Sequence, residues 1–151
     1  MRLTVYTDYA LRTLMYAALH PGRLTTIGEI SAAYGISRNH LTKVVHDLGA
    51  AGFIETVRGQ QGGMRIARPP HQIGLGEVVR HTEGDSGLVP CMDAALSGYC
   101  VILPACRLKG ALGKASAAFY AALDAITLAD LTENREALDG LLRGPQPAPA
   151  R

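Results

Sequence analysis

The chain has 151 residues, 48% of them hydrophobic, with a formal net charge of +2, no Trp and three Cys. That length suits one domain, or one small domain with an appended oligomerisation element. No apolar run approaches the roughly 18 to 20 residues of a membrane span, and Met1 to Asp8 carries no signal-peptide h-region, so a cytoplasmic protein with reduced thiols and no membrane partner is expected. The charge is uneven: through Pro70 there are eight Lys/Arg against four Asp/Glu, and beyond it seven against nine. The first half is therefore the candidate nucleic-acid face.

Thr7 is a candidate N-cap for a first helix, in which Leu11, Leu14, Met15, Ala18 and Leu19 recur at helical spacing. His20-Pro21-Gly22 ends it. Thr26-Ile27-Gly28-Glu29 fits a capping box, so a short second helix runs to about Tyr34, with Gly35 as its C-terminal turn. Ser37 can cap a third helix whose Leu41, Val44, Val45 and Leu48 keep the period. Two short helices across a Gly turn make a helix-turn-helix. Arg38, Asn39, His40 and Lys43 cluster in the first turns of the third helix, where a recognition helix needs donors that reach base edges and phosphates.

An ordinary polar surface helix would share this pattern, and the residues after it separate the two. Ala51-Gly52 stops the helix, Phe53 to Val57 reads as a strand, Arg58 to Gly63 as a Gly-rich turn, and Met64 to Ala67 as a second strand. A hairpin directly behind a helix-turn-helix is a wing. Gln60, Gln61 and Arg65 supply polar contacts there to the DNA backbone or minor groove. A nucleotide phosphate cradle is the rival, but no G-K-[ST] motif is present after the hairpin and no helix opens after the glycines.

Pro69-Pro70 marks the edge of this region, and Leu75 to Thr82 reads as a short helix ended by Gly84. Past residue 107, Leu108, Leu112, Ala115, Phe119, Ala122 and Ile126 keep the alternating spacing of a coiled-coil seam, with small residues at Ala111, Ala118 and Ala125. A symmetric homodimer through this helix is expected, packing against the chain's own first helix being the alternative. Thr127 to Leu131 caps a further element that continues through Leu138, Leu141 and Leu142. The Pro-rich end has nothing to bury and is expected to be disordered. The expected division is a winged helix-turn-helix over 1–70, a short helix and cysteine loop over 71–107, a dimerisation helix and a short helix over 108–143, and a tail over 144–151. The fold class is mainly α.

All three cysteines fall between these helices, as C-x₈-C-x₅-C at Cys91, Cys100 and Cys106. Cys as a small buried hydrophobe does not explain confinement to one loop. An odd count in a reducing compartment disfavours disulfides. Zinc usually comes with paired C-x₂₋₄-C knuckles, absent here. An iron-sulfur cluster accepts thiolates at wider spacings and leads, one ligand short.

The order of parts resembles the winged-helix iron-sulfur transcriptional repressors. The resemblance rests on Tyr6-Thr7-Asp8-Tyr9-Ala10-Leu11-Arg12, on Gly59-Gln60-Gln61-Gly62-Gly63 and on Ile73-Gly74-Leu75-Gly76-Glu77-Val78-Val79. Pro104-Ala105-Cys106-Arg107-Leu108-Lys109 and Thr127-Leu128-Ala129-Asp130-Leu131 look most like the nitric-oxide-sensing members. The resemblance implies a dimeric repressor on a double-stranded operator with two half-sites. It would carry a 4Fe-4S cluster ahead of a 2Fe-2S one, and nitric oxide would relieve repression by attacking cluster iron. The eight-residue gap between the first two cysteines is longer than in most members. The His found shortly after the third Cys in the cluster-biogenesis regulator is missing, and the resemblance points instead to Asp8, supplied by the other subunit, as fourth ligand. Asp93, His71 and His81 compete with it. Sensing of cluster supply or redox poise is the alternative within regulators, and a small electron carrier or thiol enzyme the alternative outside them.

Overall fold

The computed structural model describes residues 2–84, 87–93 and 100–144. Its helices are α1 (Val5–Leu19), α2 (Ile27–Tyr34), α3 (Arg38–Ala50), α4 (Leu75–Glu83), α5 (Arg107–Asp124) and α6 (Arg135–Arg143), with strands β1 (Ile54–Val57) and β2 (Gly63–Ile66) between α3 and α4. This is the mainly α winged-helix arrangement expected from the sequence.

α1 starts one turn earlier than its apolar period suggests. Thr4 is the N-cap, and its side chain accepts from the Thr7 amide. Thr7 is not the cap: it lies inside the helix, fully buried. The buried stripe of α1 also includes Ala10, Leu14 and Ala17, whereas Leu11 and Met15 are only half-buried and turn toward α6. α2 carries the expected capping box, the Glu29 carboxylate accepting from the Thr26 amide at 2.6 Å and the Thr26 hydroxyl from the Glu29 amide at 3.2 Å. It ends at Gly35 in the left-handed region, φ 66°, a conformation that costs glycine little. α3 buries Leu41, Val44, Val45 and Leu48 and leaves Arg38 to His40, Thr42 and Lys43 exposed.

Leu14, Ile30, Leu41, Val44, Leu48, Phe53 and Met64 form one core with Ile73 and Val78, each contributing about 1.5 to 3 kcal/mol of gross burial energy. Ile73, Val78 and Leu128 come from beyond the wing. Residues on either side of α4 and α5 are laced together: Leu75 N–H donates to Ile126 at 2.8 Å and Leu128 N–H to Ile73 at 2.9 Å.

The wing is an antiparallel hairpin in the register Ile54↔Ile66, Glu55↔Arg65, Thr56↔Met64 and Val57↔Gly63. Met64 and Thr25 exchange backbone bonds of 2.8 and 2.9 Å, which fastens the hairpin to the segment before α2. A Cβ on Gly63 would lie 2.6 Å from the Thr25 carbonyl oxygen. Only glycine permits that approach.

The expected coiled-coil seam is divided. Leu112, Phe119 and Ile126 are half-buried, while Leu108, Ala115 and Ala122 are exposed. α5 packs chiefly on α4 and ends at Asp124, so Ile126 belongs to the laced segment beyond it. The exposed residues form a stripe of their own with Ala111, Ala118 and Ala125. Alanine fits either face of a helix, which is why the spacing alone merged the two. α4 and α5 are joined by a bidentate Arg80–Asp124 pair at 2.6 and 2.7 Å, with Arg80 also 4.6 Å from the centroid of the Tyr120 ring. The segment after α5 is two elements, not one. Thr127 and Asp130 exchange backbone-to-side-chain bonds of 2.7 and 3.3 Å at the entry to a short 3-10 turn, Asp130–Thr132, and α6 begins separately at Arg135. The expected disordered tail over 144–151 lies outside the described residues apart from Gly144.

Candidate cluster site and nucleic-acid interface

The three cysteines are half-buried free thiols. Cys91 sits in a 3-10 turn, Pro90–Met92. Cys100 accepts through its backbone oxygen from the Leu103 amide at 3.1 Å. Cys106 occupies the N-cap position of α5, with no side-chain capping bond of its own, where the helix dipole stabilises negative charge. Among the described residues no three His, Cys, Asp or Glu side chains are gathered for a metal ion. The donor chemistry nevertheless fits a thiolate-held cluster: three thiols, none in a disulfide, in the segment between α4 and α5.

The rival fourth ligands are spread out. His71 lies exposed in a 3-10 turn beside the wing, and Asp93 comes directly after the Cys91 turn. His81 Nε2 is engaged in a hydrogen bond with Asp47 Oδ2 at 3.0 Å. Asp8 is in the first turn of α1 with a side chain 47% exposed, at the edge of an open apolar groove of about 630 Å³ lined by Leu11, Met15, Leu138 and Leu141.

Arg12 connects Asp8 to the helix-turn-helix. Its Nε donates to Asp8 Oδ1 at 2.9 Å, and its guanidinium carbon lies 5.6 Å from the centroid of the Tyr34 ring at the end of α2. Burial raises the pKa of Tyr34 above the ordinary tyrosine value.

The start of α1 is also fastened to α4. The Glu83 carboxylate accepts from the Thr4 amide at 2.8 Å, the Thr4 hydroxyl at 2.9 Å and the Thr7 hydroxyl. Burial pushes this carboxyl up, but those donors outweigh it and leave its pKa below the usual range. The last turn before the cysteine segment thus grips the helix that carries Asp8.

On the other face, Arg38, Asn39, His40 and Lys43 are exposed together at the N-terminal end of α3. His40 is stacked 6.0 Å from Tyr9. Gln60 and Gln61 are exposed at the hairpin tip. Arg65 is paired with Glu55 across the hairpin at 2.9 Å, an exposed pair. Sequence reasoning missed Tyr34, Glu83, Tyr6 and Asp47, because their partners are distant along the chain. The only local signals were a tyrosine before the Gly turn and a carboxylate before the Gly that ends α4.

A family model described as iron-dependent transcriptional regulators, Rrf2, matches residues 3–134. The chain belongs to the Rrf2 family. Among curated Rrf2-type relatives, the HTH-type transcriptional regulator NsrR of Bacillus subtilis is 49% identical over 144 residues, covering 95% of this chain and 98% of that protein. NsrR of Geobacillus kaustophilus is 50% identical over 144 residues, covering 95% and 97%. Of solved structures, IscR of T. potens aligns with a TM-score of 0.70 at 26% identity, over 97% of this chain and 94% of that one. The oxidised form of Staphylococcus aureus CymR aligns with a TM-score of 0.68 at 25% identity, over 88% and 97%. This Rrf2 protein is a DNA-binding transcriptional regulator and not an enzyme, which removes the thiol-enzyme alternative. No helix among the described residues is long and apolar enough to cross a membrane.

Proposed function

We propose that the chain is a cytoplasmic, dimeric repressor that responds to nitric oxide through an iron-sulfur cluster, 4Fe-4S ahead of 2Fe-2S. Cys91, Cys100 and Cys106 hold the cluster, and Asp8 of the partner subunit is the fourth ligand. Arg38, Asn39, His40 and Lys43 read the major groove of an operator with two half-sites, and Gln60, Gln61 and Arg65 reach the backbone or minor groove. Residues 1–70 are the DNA-binding region, 71–107 the sensing segment and 108–143 the dimerisation region.

The observation that carries this reading is the Asp8–Arg12–Tyr34 chain, which leads from an exposed carboxylate to the end of the first helix of the helix-turn-helix. When bound, the cluster would supply iron with one exchangeable corner, because a carboxylate is a harder and weaker partner there than a thiolate. Asp8 is engaged by Arg12 on one side and accessible on the other. A change in what Asp8 binds alters where Arg12 sits against Tyr34, and with it how α2 and α3 present themselves. A useful switch needs a difference in DNA affinity of about 1 to 3 kcal/mol between states. The exposed stripe of Leu108, Ala111, Ala115, Ala118, Ala122 and Ala125 is the surface this reading gives to the dimer.

The family's description as iron-dependent regulators favours a second reading in which cluster supply is the signal. Anaerobic purification with absorption and native mass spectrometry tests both. The expected result is a coloured dimer whose cluster is lost or labile in Cys91→Ala, Cys100→Ala and Cys106→Ala. A colourless, metal-free protein that still binds operator DNA would sink them together. Comparing operator affinity after nitric oxide and after an iron chelator then separates the two signals.

A further inference from the structure

Asp47 lies late in α3, about 12 Å along the helix axis from Asn39 at 1.5 Å per residue, and is used by none of the contacts assigned to DNA or cluster. One of its oxygens, Oδ2, accepts two bonds from two other helices. The Tyr6 hydroxyl of α1 donates to it at 2.9 Å, and His81 Nε2 of α4 lies 3.0 Å from it. A carboxylate oxygen can only accept, so Nε2 carries the proton in that bond. The Tyr6 hydroxyl is held firmly as a donor: burial, then the bond to Asp47 and its charge, push its pKa up to about 12. The His81 ring also meets the buried core residue Phe53 edge to face at 5.6 Å.

The other contacts that seat α3 on its neighbours are chiefly apolar. It packs on α1, α2 and β1, and α4 packs chiefly on α1 and α5. The apolar residues Leu41, Val44, Val45 and Leu48 that seat α3 supply burial without direction. Hydrogen bonds to Asp47 are directional, and the one from His81 comes from the turn of α4 that also holds the start of α1 through Glu83.

We propose that Asp47 is a positioning residue for DNA recognition: it fixes the pitch of α3 against α1 and α4, and through His81 ties the recognition helix to the last turn before the cysteine segment within one subunit. This rests on the assignment of α3 as the DNA-reading helix. It gives the chain an intramolecular route from that segment to DNA which does not pass through Asp8.

Charge and position predict opposite signs. A solvated Asp on a DNA-facing helix repels a polyanion, so removing its charge should tighten binding. Loss of a positioning contact weakens it. Asp47→Asn and Asp47→Ala remove the same charge, but the Asn carbonyl oxygen can stand where Oδ2 stands and accept from both partners, which Ala cannot.

The experiment uses the full chain, a duplex selected from a random pool by the wild-type protein, and a scrambled duplex. Asp47→Asn is expected to match or exceed wild-type affinity for the selected duplex. Asp47→Ala is expected to bind it about tenfold more weakly than Asp47→Asn, within the usual range of coupling between sites, with both variants alike on scrambled DNA. His81→Ala should weaken selected-site binding several-fold in the wild-type background and add nothing to Asp47→Ala, as for residues acting through one contact. Melting temperatures show whether each variant is folded; if Asp47→Ala is not, the surface variant His81→Ala carries the test alone. Equal affinity of the Ala and Asn variants for the selected duplex, a loss of the same size on scrambled DNA, or an unaltered His81→Ala overturns the proposal. A wild type that selects no sequence overturns the DNA-reading assignment of α3 and this inference with it.

Discussion

Replacing Glu83 by Ala removes the carboxylate that accepts from the Thr4 amide and from the Thr4 and Thr7 hydroxyls. A hydrogen bond to a charged group contributes about 1.5 to 3 kcal/mol when shielded. Two of these bonds are exposed and compete with water, and without Glu83 the Thr7 hydroxyl can donate to Thr82, 2.9 Å away, so the net cost is discounted to about 1 to 2 kcal/mol. For a chain of this size that is a fall of about 2 to 8 °C in melting temperature. The folded-state pKa of Glu83 lies below its ordinary value, so its contribution is fully present above the unfolded pKa of about 4.3 and is lost as pH falls through the folded one. Urea unfolding of wild type and E83A should therefore give a constant difference above about pH 6, shrinking below about pH 4. A difference under about 0.5 kcal/mol at neutral pH, or one that does not narrow in acid, would refute the assignment of Glu83 as the charged anchor of α1.

Asp8→Ala should cost under about 1 kcal/mol of stability, since the Asp8–Arg12 pair is nearly half exposed and such pairs contribute little. The same change should still allow a cluster to assemble but shift its absorption spectrum and shorten its lifetime; an unaltered spectrum and lifetime would return Asp8 to the role of a helix-end charge. Lys43→Ala should reduce the slope of log affinity against log salt by about one if Lys43 meets a phosphate, and an unchanged slope would remove it from the backbone contacts. Asp8→Cys should restore a fourth strong ligand and blunt the response to nitric oxide, which affinity measurements before and after exposure would show.

The parts of the fold that were legible in the sequence are those fixed by near neighbours. The capping box at Thr26 and Glu29, the turn at Gly35, the apolar period of α3 and the glycines of the wing all act over a few residues. The start of α1 was misplaced because the burial of Thr7 depends on Thr82 and Glu83, 75 and 76 positions away. The division of α5 into an α4-facing side and an exposed alanine stripe is a matter of packing, and alanine carries almost no preference between the two. Candidate ligands were legible as residue types, and the proposed DNA-contacting set as a cluster of exposed polar residues at one helix end. Asp47 was not, because nothing near position 47 signals partners at Tyr6 and His81. The contact that links Asp8 to Tyr34 was half visible: Arg12 one turn beyond Asp8 is a local pattern, its approach to α2 is not.

In the function proposed for this chain, cluster state controls DNA affinity. The most direct measurement is a titration of anaerobically purified, cluster-loaded protein with nitric oxide, monitoring the cluster absorption and operator binding on the same sample. Operator affinity is expected to fall about 5- to 150-fold in step with the loss of the cluster spectrum. Operator binding that persists unchanged after the spectrum has gone would contradict the claim.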